Sequence, residues 1–433
     1  MKVVWSRRGK LLVGAAAVVV LVLVVGVVLA YPAWSARRGA DARWVVASNA
    51  DTVLDYDADR VLVEDDGLLT VLDRATGEDQ SAGRVDWQQR AALVPGGVVA
   101  SADGYLALRD RSGRVMWEKT DSHTLVTVDI GAGVAVVAVE GTNRVSTLTA
   151  LALTDGTPKW TIPDLGRVGN VSFTEEPARR PGALRTTRLI PVIPMWGYPS
   201  GTAATPATWQ LVSAATGEVV AETVQTDDRG VPFAFGDAAM HSDWPSCAEV
   251  ALIGGPQVRW PDGPPEGTCG TVWLVDPERV LIWSWREPGS RGGEEGIRLF
   301  SLRTATGTVT ELNWQGGYLD TTGDEGRELA RSWGRYLFSK GAVYDTRTGE
   351  ERWRAEEVWL SGDTAVTVSG VSGIDRLAAG ASDRSRWVRV TDAATGEPNG
   401  GAYITLGPVY SVTPLDLGEV LVLAGGEAVL LSR

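Results

Sequence analysis

Histidine is almost missing from this chain: His123 and His241 are the two among 433 residues. Cysteine is as scarce, with Cys247 and Cys269 alone, neither adjacent nor in a Cys-x-x-Cys pair. A zinc site needs four ligands with close Cys or His spacings, so none is expected, and His241 near Cys247 reads as a surface-loop residue. There is no Gly-x-Ser-x-Gly elbow, no His-Glu-x-x-His and no phosphate loop ending in Gly-Lys-Ser/Thr. The hydrolase, zinc-protease and nucleotide-binding arrangements those motifs build are therefore not expected. The acid pairs Glu294–Glu295 and Glu356–Glu357 read as solvated turns, because adjacent residues of a strand point to opposite faces. Positive charge is also in deficit. The net charge is −13, whereas nucleic-acid binding needs a positive face to neutralise phosphates. One local basic cluster, Arg179, Arg180, Arg185 and Arg188, reads as a solvated loop.

What the chain has is a repeat without helical periodicity. In Gly341–Trp353, GAVYDTRTGEERW, a strand (Ala342–Asp345) runs into a Thr-Gly turn at Thr348–Gly349 and a second strand ending in Trp353. The alternation of Ala342, Val343 and Tyr344 suits a half-buried strand. Glycine supplies the turn position with φ > 0. The same turn recurs at Gly77, Gly113, Gly156, Gly217, Gly307, Gly349 and Gly396, with separations of 36, 43, 61, 90, 42 and 47 residues. The regular spacings match the roughly 40–50 residue period of propeller blades. A tryptophan follows four residues after the glycine at Trp117, Trp160 and Trp353. It is absent after Gly77, Gly217, Gly307 and Gly396, which predicts an incomplete docking girdle.

The C-terminal stretch Glu419–Arg433 looks like two strands of a further unit, stopped before its turn. Ala42–Asn49 supplies an apolar-rich segment that can complete it. Donating an N-terminal strand to the last sheet is one way for a ring to remove its open edges. The expected fold is all-β, an eight-bladed propeller over residues 42–433. Seven or nine blades also fit, since the 90-residue separation has room for a degenerate unit around Pro261–Gly263.

Strand, Asp, two residues, Thr-Gly and then Trp resembles the tryptophan-docking motif of the quinoprotein-like, pyrroloquinoline quinone-binding-like propellers. That group includes quinone-dependent dehydrogenases and an eight-bladed outer-membrane assembly lipoprotein. The resemblance spans Trp44 to the C-terminus and speaks to fold rather than function. The dehydrogenases use adjacent cysteines, a Trp floor and calcium held by carboxylate and Asn. This chain has no Cys-Cys pair, so no cofactor is expected.

The N-terminus reads separately. Residues 1–10 form a basic head, and Leu11–Ala30 is a 20-residue run without a charge. As a helix it spans about 30 Å, enough to cross a bilayer. Residues 11–31 are expected as a transmembrane helix, with Tyr31 and Trp34 at the interface and the head in the cytoplasm. The rival is a cleaved signal peptide ending near Ala30. Residues 32–41 read as a linker. Asp55, Asp57 and Asp59 alternate like the start of a calcium loop, but Arg60 stands where such a loop needs Gly; an acidic turn is the plainer reading. Cys247 and Cys269 are 22 residues apart in a Pro/Gly-rich loop, and outside the cytoplasm they are expected to form a disulfide.

Two stretches break the period, Thr161–Trp209 (with a strand in Leu189–Trp196) and Gln225–Gly270. Such loops either carry binding surfaces on a rigid scaffold or simply cover a blade edge. The expectation is a single-pass cell-membrane protein whose extracytoplasmic propeller is a non-enzymatic binding or assembly scaffold, with a protein or glycan partner in the envelope. The alternatives are a quinoprotein-like or other propeller enzyme with its site at the ring axis, and a ligand sensor. Ten residues ahead of the apolar run leave a sensor little output domain.

Overall fold

Gly97–Ala102 and Glu419–Ala424 are buried along their whole length. A strand covered on both faces carries an apolar run instead of alternation, and it must lie in a sheet with a neighbour on either side. The computed structural model of the chain has that arrangement. It describes residues 24–25, 30–37, 41–65, 68–80, 90–102, 105–120, 123–140, 146–168, 181–194, 207–225, 232–235, 237–241, 243–244, 246–276, 279–285, 298–314, 334–405, 407–415 and 418–432. The basic head, most of the expected transmembrane segment, Arg179, Arg180 and Glu294–Glu295 lie outside the described residues. Among the described residues no helix is long and apolar enough to cross a membrane.

Six sheets can be named by a repeat-turn glycine, beside the closing sheet of Val409–Pro414, Glu419–Ala424, Glu427–Ser432 and Ala42–Ala47. The Gly77 sheet holds Thr52–Tyr56, Arg60–Asp65 and Leu68–Asp73, extended by a bridge from Leu72 to Asp79. The Gly113 sheet holds Arg90–Val94, Gly97–Ala102, Tyr105–Asp110 and Val115–Lys119. Gly156 and Gly217 share one seven-stranded sheet from His123–Asp129 to Val219–Gln225. It is continuous because Pro158–Val168 is long enough to pair with Ser146–Ala152 along one part and with Leu189–Pro194 near its end. The Gly307 sheet has five strands, from Asp243–Trp244 to Thr308–Leu312. The Gly349 sheet has three (Tyr336–Ser339 to Glu351–Arg354) and the Gly396 sheet four (Glu357–Ser361 to Pro398–Ile404).

These sheets stand face to face as a β-propeller. Their first strands touch in sequence: Tyr336–Ser339, Glu357–Ser361, Val409–Pro414, Thr52–Tyr56, Arg90–Val94 and His123–Asp129. Apolar side chains fill the space between neighbouring faces. Val53, Val61 and Val63 pack on Leu421, Leu423 and Leu430, and Val366 and Val388 on Val422 and Val429. Each such side chain contributes about 1.5–3 kcal/mol when fully buried. Ala42–Ala47 pairs antiparallel with Glu427–Ser432, Val45 opposite Val429, so the two chain ends close the ring as expected.

Four expectations change here. His241 is buried, 2% exposed, not a surface-loop residue. Ala342–Asp345 is buried on both faces, not half-buried, because sheets flank it on either side. Residues 32–41 do not begin as a linker: the chain is helical through residue 37, and Ala33 and Ala36 are buried against Trp387 and Ile404. The 90-residue separation, where an eight-unit count has no sheet, contains the hairpin Phe233–Phe235/Ala238–Met240, with Met240 bridged to Leu252. On one side Ala234, Ala239 and Ile253 pack on Leu211; on the other Met240, Val250 and Leu252 pack on Val280, Ile282 and Phe300. The hairpin therefore stands between the Gly217 and Gly307 sheets, ahead of Pro261–Gly263.

Candidate functional site

The repeat turns set the frame. All seven glycines have φ between 68° and 79°, the left-handed region that glycine enters without steric cost. In six of them the glycine N–H donates to the carbonyl four residues back, as Gly77 does to Asp73 and Gly396 to Asp392. The docking tryptophans sit on the next turn of the repeat, not their own. Trp117 lies against Gly156, Trp160 against Gly217 and Trp353 against Gly396. A Cβ on any of these glycines would stand 2.6–2.9 Å from the indole, so only glycine fits. Nε1 of Trp117 donates to the Leu153 carbonyl (3.1 Å) and that of Trp353 to Ala393 (2.9 Å), whereas Trp160 Nε1 is buried without a partner.

The girdle is also more complete than the tryptophan spacing predicts. Trp44, in the donated strand, docks on Gly77, and its Nε1 donates to the Arg74 carbonyl at 3.0 Å. Ala221 docks on Gly254, a further glycine with φ 70°. The backbone of Gln257 replaces an indole on Gly307, and that of Asn313 does so on Gly349. A Cβ on Gly401 would stand 2.8 Å from the Asp41 carbonyl oxygen and 3.4 Å from that of Ser432.

One segment of the first irregular stretch crosses the inner strands. The one-turn helix Ala183–Thr186 carries Arg185 to Asp55, whose side chain is 1 % exposed, at 2.6 Å. Asp55 also accepts from the Leu93 N–H (2.7 Å) and the Tyr56 N–H (2.8 Å). Gly182 N–H donates to the Leu54 carbonyl, and Thr127 Oγ1 to the carbonyls of Leu184 (2.7 Å) and Thr187 (2.9 Å). The strap is thus fastened to the strands Thr52–Tyr56, Arg90–Val94 and His123–Asp129. Burial raises the Asp55 carboxyl to about 6, against the lowering pull of Arg185 and the two amides. Arg185 is therefore a half-buried partner of Asp55, 22% exposed, not a member of a solvated patch; Arg188 remains 68% exposed, 3.6 Å from Asp237.

The other two acids of the calcium reading face elsewhere. Burial would raise Asp57, but Arg60 and the Asp59 and Arg60 amides hold it below the usual carboxylate range. Asp59 stays in the turn, its amide bonded to Asp57. Among the described residues no three His, Cys, Asp or Glu side chains form a metal-holding group, so Asp55, Asp57 and Asp59 do not converge.

Cys247 and Cys269 are disulfide-bonded, with Cα atoms 4.8 Å apart. The bridge ties the segment after the hairpin to the Gly307 sheet. Trp260 packs edge-on against Phe300 (centroids 5.0 Å apart), and Arg259 pairs in parallel with Thr308. This part of the second irregular stretch covers a sheet edge, the plainer of its two readings. At the closure, Glu419 joins Arg43 and Arg74, the latter at 2.6 Å. Arg37 Nη1 donates to the Tyr403 hydroxyl (2.8 Å), which donates to Glu427 Oε2 (2.9 Å). Burial, followed by Glu427, raises the Tyr403 phenol above its ordinary range. The spacing of the repeat pointed to none of Trp44, Arg185 or Arg37.

At the level of sequence, no family model and no curated protein matches the chain. Solved structures are similar at low identity. BamB from Moraxella catarrhalis is 14% identical, with 79% of this chain and 96% of that one covered and a TM-score of 0.35. The Pan2 WD40 domain from Neurospora crassa is 10% identical, covering 89% and 93%, with a TM-score of 0.34. The eukaryotic initiation factor is 10% identical, covering 84% and 89%, with a TM-score of 0.46. None of these likenesses carries an activity or a partner across.

Proposed function

We propose that the chain is a single-pass membrane protein whose extracytoplasmic propeller acts as a non-enzymatic binding or assembly scaffold in the cell envelope, of the quinoprotein-like kind. The observation that carries this reading is the docked helix 30–37, which follows directly on the charge-free run Leu11–Ala30. Ala33 and Ala36 are buried in the ring and Arg37 bonds Tyr403, so the propeller meets that run through a packed joint. A ring joined in this way presents a fixed face, as a scaffold requires. The Cys247–Cys269 bridge supports an oxidising compartment. The ring in this reading counts nine units, the eight of the sequence reading and the Gly254 unit that Ala221 docks on. The partner is an envelope protein or glycan.

The test is fractionation with cross-linking. The full chain should stay in membranes through a carbonate wash, be cut by protease added outside spheroplasts, and yield the same cross-linked envelope partner in repeated preparations. Deleting Leu11–Ala30 should release it. A soluble cytoplasmic chain with two free thiols would sink the proposal.

A further inference from the structure

We infer that the short helix Gly373–Ala379 is a lipid-contacting foot, with Leu377 seated in the headgroup layer of the membrane that Leu11–Ala30 enters. This rests on the anchored reading above. Leu377 is 85% exposed, more than any other large apolar side chain among the described residues. A lone exposed leucine is ordinary on a protein surface; its position makes this one informative.

Ala378 and Ala379 of the same helix pack with Ala33 and Ala36 of the helix 30–37, over Trp387 and Ile404. Ala33 is three residues past the end of the charge-free run, a rise of about 4.5 Å along a helix. The headgroup layer on each side of a bilayer is about 5–8 Å deep. The foot therefore lies within that layer whenever the run is in the hydrocarbon. The helix 30–37 shows the same division of faces. Ala33, Ala36 and Arg37 face the ring, while Tyr31 (59% exposed) and Trp34 (44%) stack at 5.9 Å on another side. Aromatic rings of this kind favour the interface.

The foot is held rather than loose. Gly380, at φ 62°, ends the helix by donating to the Arg376 and Leu377 carbonyls, and Arg376 pairs with Asp383 beyond it. Leu377 is thus presented at a fixed angle. The Gly396 turn lies at the other end of the strand Arg386–Asp392, about 20 Å away at the rise of a strand. That end of the ring, with the other repeat turns, points away from the lipid and stays open to a partner.

The experiment uses the full chain in vesicles of equimolar phosphatidylcholine and phosphatidylglycerol containing doxyl-labelled lipid. Because the native cysteines are bridged, Leu377→Cys and, separately, Ala394→Cys can each carry a single fluorophore. Both sites are exposed, so neither change disturbs the core. The label at 377 should be quenched several-fold more than the label at 394. If the protein floats with vesicles after carbonate but the 377 label is no more quenched than the 394 label, the foot is refuted and the anchor stands. If the chain does not float, the anchored reading fails and the foot with it.

Discussion

Trp44 rests on Gly77, and this contact joins the donated N-terminal strand to the sheet that follows it around the ring. A Cβ on Gly77 would stand 2.7 Å from the indole, at a φ of 75°. Both the clash and the backbone strain oppose any side chain there. Gly77→Ala should therefore cost about 2–4 kcal/mol. Gly96→Ala is the control. It has positive φ with nothing within 4 Å, and should cost only about 1 kcal/mol. Equal losses in denaturant unfolding would show that the docking contact is not what holds Gly77.

Two buried carboxylates make stability depend on pH in opposite directions. Asp55 is raised to about 6 when folded. Its contribution is fully present below about pH 4 and is lost as pH rises through about 6, a change on the order of 3 kcal/mol. The stability of the native chain relative to Asp55→Asn should fall across that window, and a gap that stays flat would refute the assignment.

Asp345 behaves in the reverse sense. Burial raises it, but Arg335, the Arg347 amide and Arg352 outweigh that and hold it at about 2. Its contribution is present above about pH 4 and is lost as pH falls through about 2. Because each arginine is about a third exposed, screening reduces the effect to about 1–2 kcal/mol. Asp345→Asn should lose that amount at neutral pH in denaturant titrations and nothing near pH 2.

The Cys247–Cys269 bridge closes a 22-residue separation. Replacing both cysteines with Ala should cost about 2–4 kcal/mol by freeing the unfolded chain, with the sheets still formed by circular dichroism. A thiol assay on denatured, unreduced protein should find no free thiol in the native chain.

Pyrroloquinoline quinone with calcium should not raise the melting temperature, since a ligand bound only by the native state would stabilise it. A saturable rise would restore the enzyme reading.

The turns were legible in the sequence because they depend on one residue: a glycine at φ > 0 leaves its mark wherever it is needed. The ring closure was legible because an unfinished unit at one end and a spare strand at the other explain each other. The docking role of Trp44 was not, because no Thr-Gly pair stands four residues ahead of it in the sequence to supply the spacing. The hairpin Phe233–Phe235/Ala238–Met240 was legible only as room for a unit around Pro261–Gly263, because the residue on Gly254 is Ala221, too small to stand out, and the strands are only three residues long. Separations of 37 and 53 residues from Gly217 and to Gly307 were the available signal. The strap escaped for another reason: Arg185 and Asp55 are 130 residues apart, and no local pattern encodes a pair brought together by the ring.

The pairing of Ala42–Ala47 with Glu427–Ser432 also sets an order of events during synthesis. The first of these strands leaves the ribosome about 385 residues before its partner. At roughly 5–20 residues per second it waits on the order of 20–80 s with both edges unmatched. Until then the nascent chain is an open arc whose terminal sheets can capture a strand from another molecule. Slowing elongation late in the chain should therefore increase aggregation more than slowing it early.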